Sequence, residues 1–175
     1  MAAGSTYTPI ATTTASGSVS SITFTGISGS YTDLLLVCNA YYTTSSRTSF
    51  SIQVGNGSID TGTNYSWTGL YGNGTTAAAV SDPTGTTYRA NMYIGTNRYS
   101  STSGSNFGGT VVDILDYTNT NKYKTTRSLE GYDTNGGGEI YFTSGLWMST
   151  SAITSFTITT GSTNFGQYAS FALYG

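Results

Sequence analysis

The side chains here that could do chemistry are few, and their spacing decides what they can do. Paired carboxylates could hydrolyse a glycosidic bond, and the pairs close in sequence are Asp113 with Asp116 and Glu130 with Asp133. At a spacing of three on a β-strand the members point to opposite faces, so neither pair makes a dyad unaided. Acids from different strands could still converge. Asp60, Asp82, Asp133 and Glu139 fall in or near loops without an Asp-x-Asp-x-Asp pattern, so no metal site is assigned, although calcium could bind through backbone carbonyls. The chain has no histidine, the side chain that titrates most readily near neutral pH. Without one, nucleophilic catalysis by the single Cys38, set in the apolar run Leu34 to Cys38, has no base, and a buried inert thiol is expected. No cofactor is called for, and the expectation is a non-enzyme.

The aromatic residues suggest contact rather than catalysis. Tyr41, Tyr42, Trp67 and Tyr71 stand beside turns rich in Gly, Asn and Ser, where flat rings and amides could stack on a sugar or anchor another protein. The competing reading is that alternate tyrosines are ordinary strand formers, half buried in a sandwich. Trp147 in Gly145-Leu146-Trp147 is expected in the core.

The elements that must position these groups read as strands throughout. Alternating runs rich in Val, Ile, Thr, Tyr and Phe recur between clusters of Gly, Asn and Ser, and helical periodicity is absent. The strands fall at Val19 to Phe24, Asp33 to Tyr41, Thr48 to Val54, Tyr65 to Tyr71, Tyr88 to Ile94, Thr110 to Tyr117, Tyr123 to Tyr132, Ile140 to Trp147, Ile153 to Thr159 and Tyr168 to Tyr174. The continuous apolar run after Asp33 predicts a central strand covered on both faces. Gly55-Asn56-Gly57, Gly72-Asn73-Gly74 and Asn135 to Gly138 supply turns. A loop is expected from Thr75 to Thr86, in which Ala77 to Val80 could form one helical turn. No fixed-period repeat is visible, so the pattern fits an all-β fold: one antiparallel β-sandwich, jelly-roll-like, over residues 1–175, with residues 1–17 as a candidate N-terminal arm.

At 175 residues the chain suits one domain, and its aromatic share of 14 % argues for a folded core. Charged residues make up only 8 % of the chain and the net charge is −2. The six cations are mostly scattered; the one cluster, Lys122, Lys124 and Arg127, cannot supply the phosphate contacts of a nucleic-acid groove. Lys122 and Lys124 are expected on one solvated strand face that resists edge pairing. No basic-then-apolar leader follows Met1, no apolar run is long enough to span a membrane, and the sequons at Asn56, Asn64 and Asn73 are what such a composition yields by chance. With two Lys and two Pro the chain does little to protect its sheet edges, and its low-charge surface offers little repulsion between copies. A homo-oligomer is expected, and either two-fold or three-fold symmetry satisfies these arguments.

Five segments in the same order carry a resemblance: Tyr7 to Thr13, Ile27 to Leu34, Thr61 to Ser66, Gly145 to Trp147 with Ala152 to Ser155, and Phe171 to Gly175. Their series resembles small structural proteins of tailed bacteriophages, especially those of cyanobacteria and other aquatic bacteria. The resemblance implies a jelly-roll-like protein at the virion surface, made in the host cytoplasm. It would be a capsid decoration subunit bound to the major coat protein, or else a tail-fibre or head-fibre module that binds a host glycan. It implies no catalytic residues.

Overall fold

In a computed structural model, residues 7–44, 48–81, 89–97, 106–161 and 163–175 are described. They form thirteen strands and no helix: β1 (Pro9–Thr14), β2 (Ser21–Phe24), β3 (Leu34–Ala40), β4 (Thr48–Asn56), β5 (Ser58–Ile59), β6 (Tyr65–Gly72), β7 (Ala77–Ser81), β8 (Met92–Asn97), β9 (Gly108–Leu115), β10 (Lys124–Asp133), β11 (Gly138–Trp147), β12 (Ser155–Thr160) and β13 (Ser170–Tyr174). An eight-stranded sheet runs β1-β13-β3-β9-β10-β11-β6-β7. The second sheet runs β2-β12-β4-β5, with β8 also paired to β4. Every pairing between strands is antiparallel, and the chain passes repeatedly from one sheet to the other, as in a jelly-roll-like sandwich.

Alternation explains the core. Leu34, Leu36, Cys38 and Ala40 of β3, Val112 and Ile114 of β9, and Phe171 and Leu173 of β13 point inward, against Ile22, Phe24, Phe50, Ile52, Val54, Phe156 and Ile158 of the facing sheet. Phe165 packs edge-on to Phe50 and Phe171 at 5.7 and 5.0 Å, arrangements that aromatic quadrupoles favour. Trp147 is buried at 3 % exposure, as expected.

Three expectations are corrected. β3 lies inside the larger sheet but is covered on one face only: Val37, on the other, is exposed, so the apolar run does not mark two-sided burial. Ala77 to Val80 form no helical turn but belong to edge strand β7, paired with β6 from Thr68↔Ser81 to Gly72↔Ala77. Lys122 and Lys124 do not share a solvated face. Lys122 sits in the turn before β10 and pairs with Asp116, whereas Lys124 is fully buried and donates to the carbonyls of Lys122 (2.9 Å) and Thr150 (3.1 Å). Within the proposed arm, β1 pairs with β13 and Ala15 is buried.

The turns follow their local chemistry. Gly57 and Gly74 take φ of 77° and 87°, and the β10–β11 hairpin turns through Asn135 (58°) and Gly136 (123°). Gly95, at φ 149°, lies beside the register shift between β4 and β8, and any side chain there would press within 2.8 Å of Glu130.

Candidate functional site

The four aromatic candidates separate. Tyr42 is fully buried and packs on Phe50 and Phe165, so it is a core residue rather than a surface contact. Tyr41 lies half-buried, edge-on to Phe107 at 4.9 Å, with its ring directly over Gly166. Trp67 and Tyr71 do come together. On the inward side of β6 they join a ladder in which Trp67 stacks on Tyr93 (4.6 Å), Tyr93 meets Tyr141 edge-on (5.9 Å) and Tyr141 stacks on Tyr71 (5.4 Å). One face of Trp67 is thereby committed to Tyr93. The partners Tyr93 and Tyr141 were not legible as site residues, because the ladder is assembled across β8, β11 and β6.

Several of the described groups able to move protons are held by structural partners, while Asp82 lies outside the described residues. Asp60 is tied by its carboxylate to the Gly62 amide (2.8 Å), the Asn64 side chain (2.9 Å) and the Trp147 indole N–H (2.8 Å). Burial alone would raise its pKa, but the three donors together outweigh burial and hold the carboxyl below its usual range. The Tyr65 hydroxyl beside it donates to the carbonyls of Asp60 (2.7 Å) and Val54 (3.0 Å), and burial pushes its pKa up. Tyr117 acts similarly at another corner, donating to the Ser28 carbonyl and accepting from the Tyr31 amide, and burial raises its pKa as well. Burial also pushes the Cys38 thiol far above its ordinary value. Asp113 lies outward, paired with Arg127 (2.7 Å), while Glu130 points inward and Asp133 outward, as a spacing of three dictates. Among the described residues no three acidic or thiol groups gather to hold a metal ion, and no helix is long and apolar enough to cross a membrane.

Sequence reasoning missed a surface. On β10 the inward residues are Lys124, Thr126, Ser128 and Glu130, all buried, while Leu129 points out. On β11, Thr143 is buried while Ile140 and Phe142 are exposed, and on β6 Leu70 is exposed. β10 is thus polar inside and apolar outside, the reverse of the usual pattern, whereas β11 and β6 carry exposed apolar residues outside although aromatic rings, Tyr141, Trp147 and Tyr65 among them, fill their inward side. The inward hydroxyls have partners: Ser128 bonds Thr143, Thr143 donates to the Tyr93 carbonyl (3.3 Å), and Thr126 donates to the Met92 sulfur (3.6 Å). The registers place Val37, Val111, Leu129, Phe142 and Leu70 directly abreast on neighbouring strands, 37 to 58 % exposed, with Ala172 and Ala79 continuing the row at either end. An in-register apolar row of this length on an outer face is a candidate contact surface. Its signal in the sequence is indirect: Ser128-Leu129-Glu130 reads equally well with either residue inside.

No protein-family model, curated protein or solved structure matches the chain. Geometry alone therefore ranks the surfaces. Besides the apolar row, an open cleft of about 540 Å³ lies between the β6–β7 and β10–β11 turns, lined by Asn73, Tyr132, Asp133, Glu139 and backbone at Gly136 to Gly138. Much of its hydrogen-bonding capacity serves the turns themselves. The Asn73 side-chain oxygen accepts from the amides of Thr75 (3.1 Å) and Thr76 (2.7 Å), and Asp133 accepts from the Asn135 amide (2.6 Å).

Proposed function

We propose that this chain is a non-enzymatic structural protein of a tailed-bacteriophage virion, displayed at the particle surface as a capsid decoration subunit that associates with further copies of itself and with the major coat protein. The observation that carries the reading is where the five resembling segments lie. Tyr7 to Thr13 and Phe171 to Gly175 bond to each other, through Thr8 with Gly175 (2.7 and 3.0 Å) and β1 with β13. Thr61 to Ser66 meets Gly145 to Trp147 along β6 and β11, at Tyr65↔Trp147 and Ser66↔Leu146, while Ile27 donates to the Thr154 carbonyl (3.0 Å). The resemblance thus follows the joints of the whole sandwich rather than one local motif, which favours a shared architecture over a borrowed site. Among the described residues Asp60, Asp113, Asp116 and Asp133 bond structural partners and Cys38 is buried, which favours a structural over a catalytic role.

Quantitative mass spectrometry of purified particles, with the major coat protein as internal standard, tests this. A ratio near one per coat subunit, or a simple lattice fraction of it, is the expected result; absence from the particle overturns it. A few tens of copies or fewer would favour the second reading, a fibre module binding a host glycan, which draws on the Trp67–Tyr71 ladder and the neighbouring cleft. That reading requires glycan retention on a column to fall in Trp67→Ala or Tyr71→Ala with folding intact.

A further inference from the structure

The outer face of the eight-stranded sheet carries, beside the apolar row, a second row of opposite shape. Two residues along each strand from Val37, Val111, Leu129, Phe142 and Leu70 stand Asn39, Gly109, Gly131, Ile140 and Gly72, also in register with one another. The first row is a ridge; the second is a trough of glycine hollows on three of four consecutive strands, interrupted by the exposed Ile140 between Gly131 and Gly72. A glycine inside a strand weakens it and often marks a place where something approaches closely. The fold itself does not demand these three. A methyl group at Gly109 would meet nothing within 4 Å, and those at Gly131 and Gly72 would find ordinary contacts at 3.7 Å. None of the three has a positive φ. Gly55 and Gly69 differ, since a methyl there would lie 1.8 Å from the Ser58 carbonyl oxygen and 2.7 Å from that of Phe142.

We propose that this face docks a second copy of the same chain, the ridge of each copy lying in the trough of the other. A two-fold axis running between the rows, across the strands, superposes them in the manner an isologous contact requires. Leu129 then lies over the partner's Gly131 and Val111 over the partner's Gly109, with Leu70 over the partner's Gly72 and Phe142 against the partner's Ile140. The strands of the two copies cross at the roughly 30° that twisted sheets impose, so the match is tightest at the central strands β10 and β11. Charge agrees with shape. The same operation brings Arg127, one step beyond the ridge, towards the partner's Asp133, one step beyond the trough, and each dimer makes this approach twice. The area is adequate: eight strands about 4.8 Å apart and five to ten residues long present a footprint on the order of 800 Å², the share each partner contributes to an interface of standard size. A face otherwise almost free of charge gives a nucleic acid or an anionic lipid surface nothing to recognise.

The test is sedimentation equilibrium of the full chain from micromolar to millimolar concentration, with Leu129→Lys at the ridge and Gly131→Val in the trough. Wild type is expected to dimerise, and each substitution to raise the dimer dissociation constant by at least about a hundredfold. Thermal unfolding at a concentration where all three proteins are monomeric separates lost association from lost folding, because Leu129 is exposed and the site at Gly131 has room. Gly109→Val, where nothing lies within 4 Å, is the second trough variant should Gly131→Val unfold. A wild-type protein monomeric throughout overturns the proposal, and if Leu129→Lys then lowers incorporation into particles, the face belongs to another virion protein. Dimers that persist unweakened in the ridge and trough variants also overturn it, and place self-association at an edge strand such as β7. Loss of the dimer in these variants without any presence on particles would leave this proposal standing while the virion reading fell.

Discussion

Replacing Asp60 by alanine tests whether the corner between the two sheets is held as described. The carboxylate accepts from the Gly62 amide, the Asn64 side chain and the Trp147 indole, while Tyr65 reaches over it to bond the Asp60 and Val54 carbonyls. The three donors are not equal. Trp147 is 3 % exposed, so its N–H, deprived of an acceptor, costs about 1–3 kcal/mol. Gly62 and Asn64 are exposed and can turn to water for a few tenths each. About 2 kcal/mol in total is expected, or about 4–8 °C in Tm for a chain of this size. Urea unfolding followed by tryptophan fluorescence reads it, and a double-mutant cycle with Trp147→Phe apportions it. Trp147→Phe should cost about 1 kcal/mol less in the Asp60→Ala background than in wild type. The pH dependence has a definite sign. The folded carboxyl titrates below the ordinary carboxylate range, so its contribution is fully present above about pH 4 and fades as pH falls through the folded pKa. Wild type should therefore lose its advantage over Asp60→Ala in acid. A Tm within about 1 °C of wild type at neutral pH, or no coupling between the two substitutions, would refute the account.

Lys124, a buried ammonium with its pKa lowered first by burial and then by Lys122, holds its proton less tightly folded than unfolded. Stability should rise with pH between the folded pKa and about 10.4, and urea midpoints measured across that window should rise less in Lys124→Met. Gly55→Ala and Gly69→Ala, which drive a methyl into backbone, should each cost at least about 2 kcal/mol, whereas Gly109→Ala should be neutral or stabilising in the monomer; thermal denaturation of the three variants checks this. Cys38, fully buried with a raised pKa, should react with a thiol reagent in the native protein only as fast as the structure opens, and at once in denaturant.

Most of the strands were legible because alternation and turn chemistry are local. The hairpins at Asn56-Gly57 and Asn135-Gly136, and the burial of Trp147 and Cys38, follow from neighbouring residues. What depends on distant partners was not legible. Ala77 to Val80 look helix-competent in isolation, and only pairing with β6 makes them a strand. Lys124 reads as solvated until the carbonyl of Thr150 is brought to it. Trp67 and Tyr71 were singled out for their turns, yet what joins them is Tyr93 and Tyr141.

The inversion of β10, beside the outward apolar residues of β11 and β6, links stability to association. A strand written Lys124-Thr-Thr-Arg-Ser-Leu-Glu130 can choose which alternate set to bury, and in water alone the choice would favour hiding Leu129. The fold instead spends buried hydrogen bonds on Lys124, Ser128 and Thr143 and leaves Leu129, Phe142, Ile140 and Leu70 to solvent. For an isolated monomer that arrangement forfeits about 1.5–3 kcal/mol for each large apolar side chain that could have been fully buried. It becomes favourable if the outer face is covered, since the same side chains are then buried between copies while Lys124 and the inward hydroxyls keep their hydrogen bonds within each. The inner polarity of β10, the outer ridge and the glycine hollows thus share one physical cause, a cover over the outer face, and in a chain that proved monomeric that cover would have to come from a different protein.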